Sequence, residues 1–91
     1  MKVKYNSKSH DLLRVAKVFN GPFTIKDVRH ILCVFEKDSR VKESANILIK
    51  HGFLEIINED CYAITPNGRE ELYKIARYNS LKMHNSYKFV D

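Results

Sequence analysis

The sequence has few of the residues that mark specialised classes of protein. It contains two cysteines, two prolines, three glycines and no tryptophan among 91 residues. Cys33 and Cys61 lie far apart and form no Cys-x-x-Cys pair, so a disulfide framework is disfavoured and two reduced thiols are expected. We expect Cys33 on the apolar face of a helix and Cys61 at the start of a strand.

Long apolar segments are also missing. The most apolar stretches, around residues 12–19 and 47–57, are interrupted by charged side chains, whereas a membrane span needs roughly 18 consecutive apolar residues. The first residues show no secretion signal, so a cytoplasmic location without a membrane partner is expected. The length predicts a single domain over residues 1–91, with its core at about 9–78 and with 79–91 as a tail or helix extension.

Patterns typical of enzymes and metal sites are absent from the sequence. It has neither a glycine-rich nucleotide loop nor a nucleophile elbow. The residues His30, Cys33, His51 and Cys61 could supply a zinc tetrahedron, but they lack the paired spacings of structural zinc sites. We therefore predict a protein that is not an enzyme and that needs no metal or cofactor.

Positive charge is in excess. Sixteen Lys and Arg residues against eleven Asp and Glu residues give a formal net charge of +5, which favours a polyanionic partner. The excess lies in residues 1–30, with seven basic and two acidic side chains, while residues 31–60 have four basic and six acidic ones. The segment Asn58-Glu59-Asp60 is acidic, and carboxylates are repelled by phosphate.

Two helices are predicted in the first third of the chain. Apolar residues at three- and four-residue steps predict the first helix over residues 9–19, with Ser9 as its N-cap and Gly21 at its end. Thr24, followed by an acidic residue three positions later, predicts the N-cap of the second helix. The inward residues of the second helix are predicted to be Val28, Ile31 and Leu32.

A third helix and a hairpin are predicted next. The helix covers about Ser39–His51, with a cap at Asp38-Ser39, and ends at Gly52, where a left-handed residue is favoured. Residues 53–57 and 61–65 are β-rich and are separated by a short turn, which predicts two strands. Thr65 then caps a final helix, whose inward residues are predicted to be Leu72, Ile75 and Ala76.

The predicted class is α+β and mainly α, with three helices, a two-stranded hairpin and a C-terminal helix. Two sequence motifs, together with this order of elements, are similar to those of a known family. They are Gly52-Phe53-Leu54-Glu55 at the exit of helix three and Tyr62-Ala63-Ile64-Thr65-Pro66-x-Gly68 at the exit of the hairpin. With the element order, they resemble the winged helix-turn-helix of small MarR-like and PadR-like prokaryotic transcription regulators, over roughly residues 9–78.

The resemblance implies a transcription regulator that binds double-stranded DNA, with helix three in the major groove. The candidates for base edges on that helix are Ser39, Arg40, Lys42, Glu43 and Asn46. The candidates for phosphate are Lys2, Lys4, Lys8, Lys26, Arg29 and Lys50. Among these, Lys2 and Lys4 are expected to form a flexible arm.

The same residues leave alternatives open. A homodimer is expected, with Leu72, Ile75 and Tyr78 as candidate dimerisation residues, although the final helix could instead pack on its own domain. The alternative function is a winged-helix protein interaction module that binds a transcription or replication factor through the acidic wing at Asn58–Asp60. An exposed polar helix face can also be merely solvated. The source, whether a cell, a plasmid or a virus, is left open.

Overall fold

In a computed structural model, which describes residues 2–87 and the side chains of residues 2–81, the fold consists of four helices and a three-stranded antiparallel sheet. The elements are α1 (Lys8–Phe19), β1 (Phe23–Thr24), α2 (Ile25–Ile31), α3 (Asp38–Lys50), β2 (Leu54–Asn58), β3 (Cys61–Ile64) and α4 (Pro66–Tyr87). The predicted class, α+β and mainly helical, is confirmed, as is the order of the helices and the hairpin.

The ends of α1 differ from the prediction. Its N-cap is Ser7, whose hydroxyl accepts a hydrogen bond from the backbone N–H of His10 at 3.2 Å, so the predicted cap at Ser9 is wrong. The helix ends at Asn20, which has a left-handed conformation with φ of 52°. Asparagine tolerates this region because its side chain is short and polar, and it takes the turn that the sequence suggested for Gly21.

The predicted start of α2 is confirmed. The Thr24 hydroxyl accepts from the Asp27 N–H at 3.2 Å, and the Asp27 carboxylate accepts from the Thr24 N–H at 2.8 Å. This reciprocal pair is a capping box, which satisfies two backbone donors at once. Within the helix, Ile25 and Val28 are buried.

The end of α2 and the start of α3 correct three predictions. Ile31 is 51% exposed, since this seven-residue helix buries only Ile25 and Val28, and the turn after the helix buries Phe35 instead. Cys33 lies in that turn and is exposed, not on an apolar helix face. The N-cap of α3 is Lys37, without a side-chain cap, and Asp38 is the first residue inside the helix.

The sheet has a strand that the sequence did not indicate. The order is β1-β3-β2, and the two-residue β1 pairs Phe23 with Tyr62. In the hairpin, Leu54 pairs with Ile64, and the register shifts after Ile56. Since β3 lies between β1 and β2, the strand β2 forms one edge of the sheet. Cys61 opens β3 as predicted.

A junction beside Gly52 joins α3, the hairpin and α4. Gly52 has φ of +80°, which favours glycine. The Thr65 hydroxyl donates to the Gly52 carbonyl at 2.6 Å and accepts from the Gly68 N–H at 3.0 Å. Gly68 lies against the backbone of Phe53, where a Cβ would be 2.3 Å from the carbonyl oxygen. The predicted cap at Thr65 is therefore confirmed, and Gly68 allows α4 to approach the backbone of Phe53 closely.

The core is built from all four helices and the sheet. The largest fully buried side chains are Leu12, Leu13, Phe23, Val28, Val41, Leu48 and Ile75. The α4 helix packs on α1, and Leu72 joins Ile75 in the core while Ala76 is exposed. The segment predicted as a tail or helix extension is helical through Tyr87, and residues 88–91 lie outside the described part.

Leu72 and Ile75 are therefore not dimerisation residues. They are 7% and 1% exposed within a single chain, so they offer no surface to a second copy. Tyr78 is the member of that predicted set with an exposed side chain, at 55%. Within the described residues, none of the helices has both the length and the apolar character needed to cross a bilayer.

The buried side chain of His10 contacts the turn that precedes α1. His10 is 3% exposed, and two donors face its ring. The Asn6 backbone N–H is 2.9 Å from Nδ1, and the Arg14 Nε is 3.2 Å from Nε2; a neutral ring accepts only one of these two bonds, because its other nitrogen carries a proton. Burial lowers the pKa of His10, and the positive charge of Arg14 lowers it further. His10 therefore stays neutral in the folded protein at neutral pH.

Candidate nucleic-acid interface

The α3 helix has a buried apolar face and an exposed face that is polar except for Ile47. Val41, Ala45 and Leu48 are buried at spacings of three and four residues, which lie along one side of a helix. All five candidates for base edges are exposed. They are Ser39, Arg40, Lys42, Glu43 and Asn46. Lys50 is exposed one turn beyond Asn46 on the same face.

Two of the cations on α3 are paired with carboxylates. The Arg40 guanidinium is 3.1 Å from the Glu43 carboxylate, one turn along the same helix. The Lys42 ammonium is 3.1 Å from the Asp60 carboxylate in the hairpin turn. All four side chains are more than half exposed, so water and ions can compete with both pairs. The polar face is consequently closer to neutral than its basic residues suggest.

The Lys42–Asp60 pair links α3 to the tip of the hairpin. Asn58 pairs with Cys61, so Glu59 and Asp60 form the turn, and Asp60 has a left-handed φ of 59°. The hydrogen bond to Asp60 and its negative charge raise the pKa of Lys42 above the usual lysine value. Lys42 is therefore fully charged at neutral pH.

Tyr62 lies near the same pair. Burial raises the pKa of its phenol, and the charge of Asp60 raises it further. The phenol is therefore neutral at physiological pH and adds no negative charge beside Lys42. The net charge of this corner is set by Lys42, Asp60 and the neighbouring Glu59.

Arg29, predicted to bind phosphate, is held by its own domain. Its guanidinium is 3.0 Å from the Asp38 carboxylate, and it also donates to the backbone carbonyl of Glu36 at 3.0 Å. These two bonds join the end of α2 to the start of α3 across the intervening turn. Arg29 therefore links α2 to the start of α3 through exposed contacts that the sequence did not reveal.

The amino-terminal segment is not a flexible arm. The backbone N–H groups of Lys2 and Val3 donate to one carboxylate oxygen of Glu71, at 2.6 and 2.8 Å. Val3 is 5% exposed and Glu71 is 4% exposed, so the segment is bound to α4. The side chains of Lys2 and Lys4 are exposed, but their backbone is fixed, which corrects the prediction.

The remaining phosphate candidates lie on separate elements. Lys8 begins α1 and Lys26 is in the first turn of α2, and both are exposed. Among the described residues, neither these two nor Lys50 has a carboxylate within ion-pair distance. The side chains of Lys2 and Lys4 likewise have no ion pair, so these five lysines have no carboxylate that competes with phosphate among the described side chains.

Sequence reasoning missed the acidic partners of the predicted cations. Glu43 was identified, but as a base reader, and the pairing of Asp60 with Lys42 was not foreseen. The two residues are on different elements, so no helical or strand period relates them. The acidic composition of the turn was the available signal, and it indicated repulsion of phosphate without indicating which lysine the turn would bind.

The comparisons with known proteins give no assignment. No family model, no curated protein and no solved structure matches this chain. Over the part of the chain that the structure describes, no group of three or more His, Cys, Asp or Glu side chains is arranged to hold a metal ion. Both cysteines are free thiols.

Proposed function

We propose that the chain is a winged-helix transcription regulator that binds double-stranded DNA, with α3 as the recognition helix. The observation that supports this most is the division of α3 into a core face and an exposed polar face. An exposed helix of this kind, next to a β-hairpin, fits the width of a major groove. The net charge of +5 adds a general attraction to polyanions.

Each residue of the exposed α3 face has a role in this proposal. Asn46 would pair with adenine, Arg40 with guanine or phosphate, and Glu43 with cytosine. Lys26 and Lys50 would bind phosphates on either side of the groove. Since Arg40 and Lys42 must leave their carboxylates to reach DNA, we expect modest affinity for random sequence and a marked dependence on salt.

The proposal is tested by titrating a short fluorescein-labelled duplex of random sequence over a salt series. Anisotropy should report binding that weakens linearly in a log–log plot between about 50 and 300 mM salt. Arg40→Ala and Lys50→Ala should each weaken binding. Arg77→Ala is the control, because it removes the same charge from the exposed surface of α4. Salt-insensitive binding, or none at low salt, would refute the proposal.

A homodimer is part of the same proposal. Two copies would present two recognition helices about one helical turn of DNA apart. Tyr78 and Leu81 are 55% and 56% exposed on α4, and burying such side chains favours association. Sedimentation equilibrium should give about twice the chain mass of 10.7 kDa, and Tyr78→Asp should return it to the monomer value. A monomer mass for the unmodified protein would contradict the dimer.

One observation favours a second function, which is binding of a transcription or replication protein through the hairpin. Ile56 and Ile57 are 61% and 45% exposed on β2, an edge strand beside the acidic turn. Exposed apolar residues on an edge strand are typical of sites that receive another chain. Undetectable duplex binding at low salt would favour this function over DNA binding.

A further inference from the structure

We propose that Asp60 limits the affinity of the chain for DNA, by holding Lys42 at the hairpin and competing with phosphate for its ammonium group. This inference rests on the proposed DNA-binding function. In this inference the hairpin turn weakens DNA binding, whereas a wing that contacts DNA strengthens it. Removal of one carboxylate is then expected to strengthen binding, with Lys42 as the group released.

The contact has the geometry that competition requires. The Lys42 Nζ is 3.1 Å from Asp60 Oδ1, and the two side chains are 51% and 53% exposed. A phosphate oxygen can therefore approach the same ammonium group from solvent. Carboxylate and phosphate both bind ammonium by charge-assisted hydrogen bonds. Asp60 and a DNA phosphate therefore compete for the ammonium group of Lys42.

Both partners are held by rigid elements. Lys42 follows the buried Val41 on α3, and Asp60 precedes Cys61 and the buried Tyr62 on β3. The Asp60 backbone has φ of 59° within a two-residue turn. The carboxylate is thus presented to Lys42 by fixed backbone on both sides, so forming the pair orders the two side chains but no additional backbone.

The turn offers a closely matched pair of substitutions. Asp60→Asn removes the charge and keeps a residue that tolerates a left-handed backbone, so the hairpin should be unchanged. Glu59→Gln removes one negative charge from the adjacent position, where no ion pair is found among the described side chains. The two variants have the same net charge, and they differ in whether Lys42 is released.

The measurement is the affinity for the same labelled duplex over the salt series. One additional phosphate contact steepens the log–log slope by about 0.9, which is about an eightfold gain at 0.1 M relative to 1 M salt. We therefore expect Asp60→Asn to bind about five- to tenfold tighter near 0.1 M salt, with a steeper slope. Glu59→Gln should change affinity less than about twofold, with the wild-type slope.

A second background tests whether Lys42 is the released group. When Asp60→Asn is added to the Lys42→Gln variant, the affinity for the duplex should rise by no more than Glu59→Gln raises it in the wild-type background. Asp60→Gly, which also suits a positive φ, should reproduce the effect of Asp60→Asn, so that the result does not depend on one variant. Thermal melts followed by circular dichroism check that every variant is folded.

The outcomes separate the inference from the function beneath it. If the wild type binds but Asp60→Asn binds no tighter than Glu59→Gln, the inference is wrong and DNA binding stands. The same holds if the gain persists in the Lys42→Gln background. If no folded variant binds duplex at low salt, the DNA-binding proposal itself is refuted, and this inference with it.

Discussion

Replacing Gly68 with alanine should destabilise the protein strongly. Gly68 lies in the first turn of α4, against the backbone between α3 and β2. A Cβ at this position would be 2.3 Å from the Phe53 carbonyl oxygen and 2.9 Å from a side-chain carbon of Ile64. The Phe53 carbonyl also accepts the Thr65 N–H at 3.1 Å, so this oxygen cannot turn away without losing a bond.

The size of the effect follows from the distance. Cβ contacts below 3.0 Å are essentially never found, so the start of α4 must move by about 0.7 Å, the difference between 3.0 and 2.3 Å. Overpacking costs about 1–3 kcal/mol, and a clash with backbone belongs at the upper end. The higher helix propensity of alanine offsets about 1 kcal/mol of this loss in the free energy of unfolding. The expected net loss is about 2 kcal/mol, or about 8–16 °C in Tm for a domain of this size.

The assay is urea and thermal unfolding followed by circular dichroism. The control is Gly21→Ala, because an added Cβ there meets only the Phe19 carbonyl oxygen at 3.9 Å. That substitution should stabilise the protein by about 0.4–1 kcal/mol, since alanine restricts the unfolded chain. Equal stability of Gly68→Ala and the wild type, or equal losses at both positions, would refute the packing at the start of α4.

Three further predictions follow from contacts already described. Glu71→Ala should lower the free energy of unfolding by about 1.5–3 kcal/mol, because it leaves the Lys2 and Val3 N–H groups unpaired. It should also speed tryptic cleavage at the amino terminus. Unchanged cleavage would contradict the attachment of this segment to Glu71. The lowered pKa of His10 means that the unfolded chain binds more protons, so stability should fall as pH drops below 6.5 towards the lowered pKa. His10→Gln should flatten this part of the stability profile relative to wild type, and an identical slope would rule out His10 as its source. Thr24→Ala should cost about 1 kcal/mol through loss of the capping box, and urea unfolding should reveal it; a loss below about 0.3 kcal/mol would argue against the cap.

Several elements could be predicted because their signals are local. The capping box at Thr24 involves residues three positions apart, and the ends of α3 and the hairpin are marked by Gly52 and Thr65. Helical spacing identified Val28, Leu72 and Ile75 as inward residues, and all three are buried. In each case the physical cause lies within about one turn of chain, so the pattern of neighbouring residues is sufficient.

The candidate site was predicted less completely. The exposure of Arg40 and Lys42 follows from the period of α3, and both are exposed. Their ionic partners do not follow, because Asp60 reaches Lys42 only after the hairpin packs beside α3. Similarly, Arg29 was predicted to bind phosphate from its charge alone, whereas Asp38 and the Glu36 carbonyl occupy its guanidinium.

The sequence by itself determined the class of the fold, the order of its helices and hairpin, and the helix ends marked by Thr24, Gly52 and Thr65, since these depend on spacing and on local backbone preference. The tertiary structure decided how the charge is used. It placed Asp60 beside Lys42 and bound the backbone of Lys2 and Val3 to the Glu71 carboxylate. It also buried Leu72 and Ile75 in the core. These outcomes join residues that are distant along the chain, and only the packing of the elements determines which of them meet.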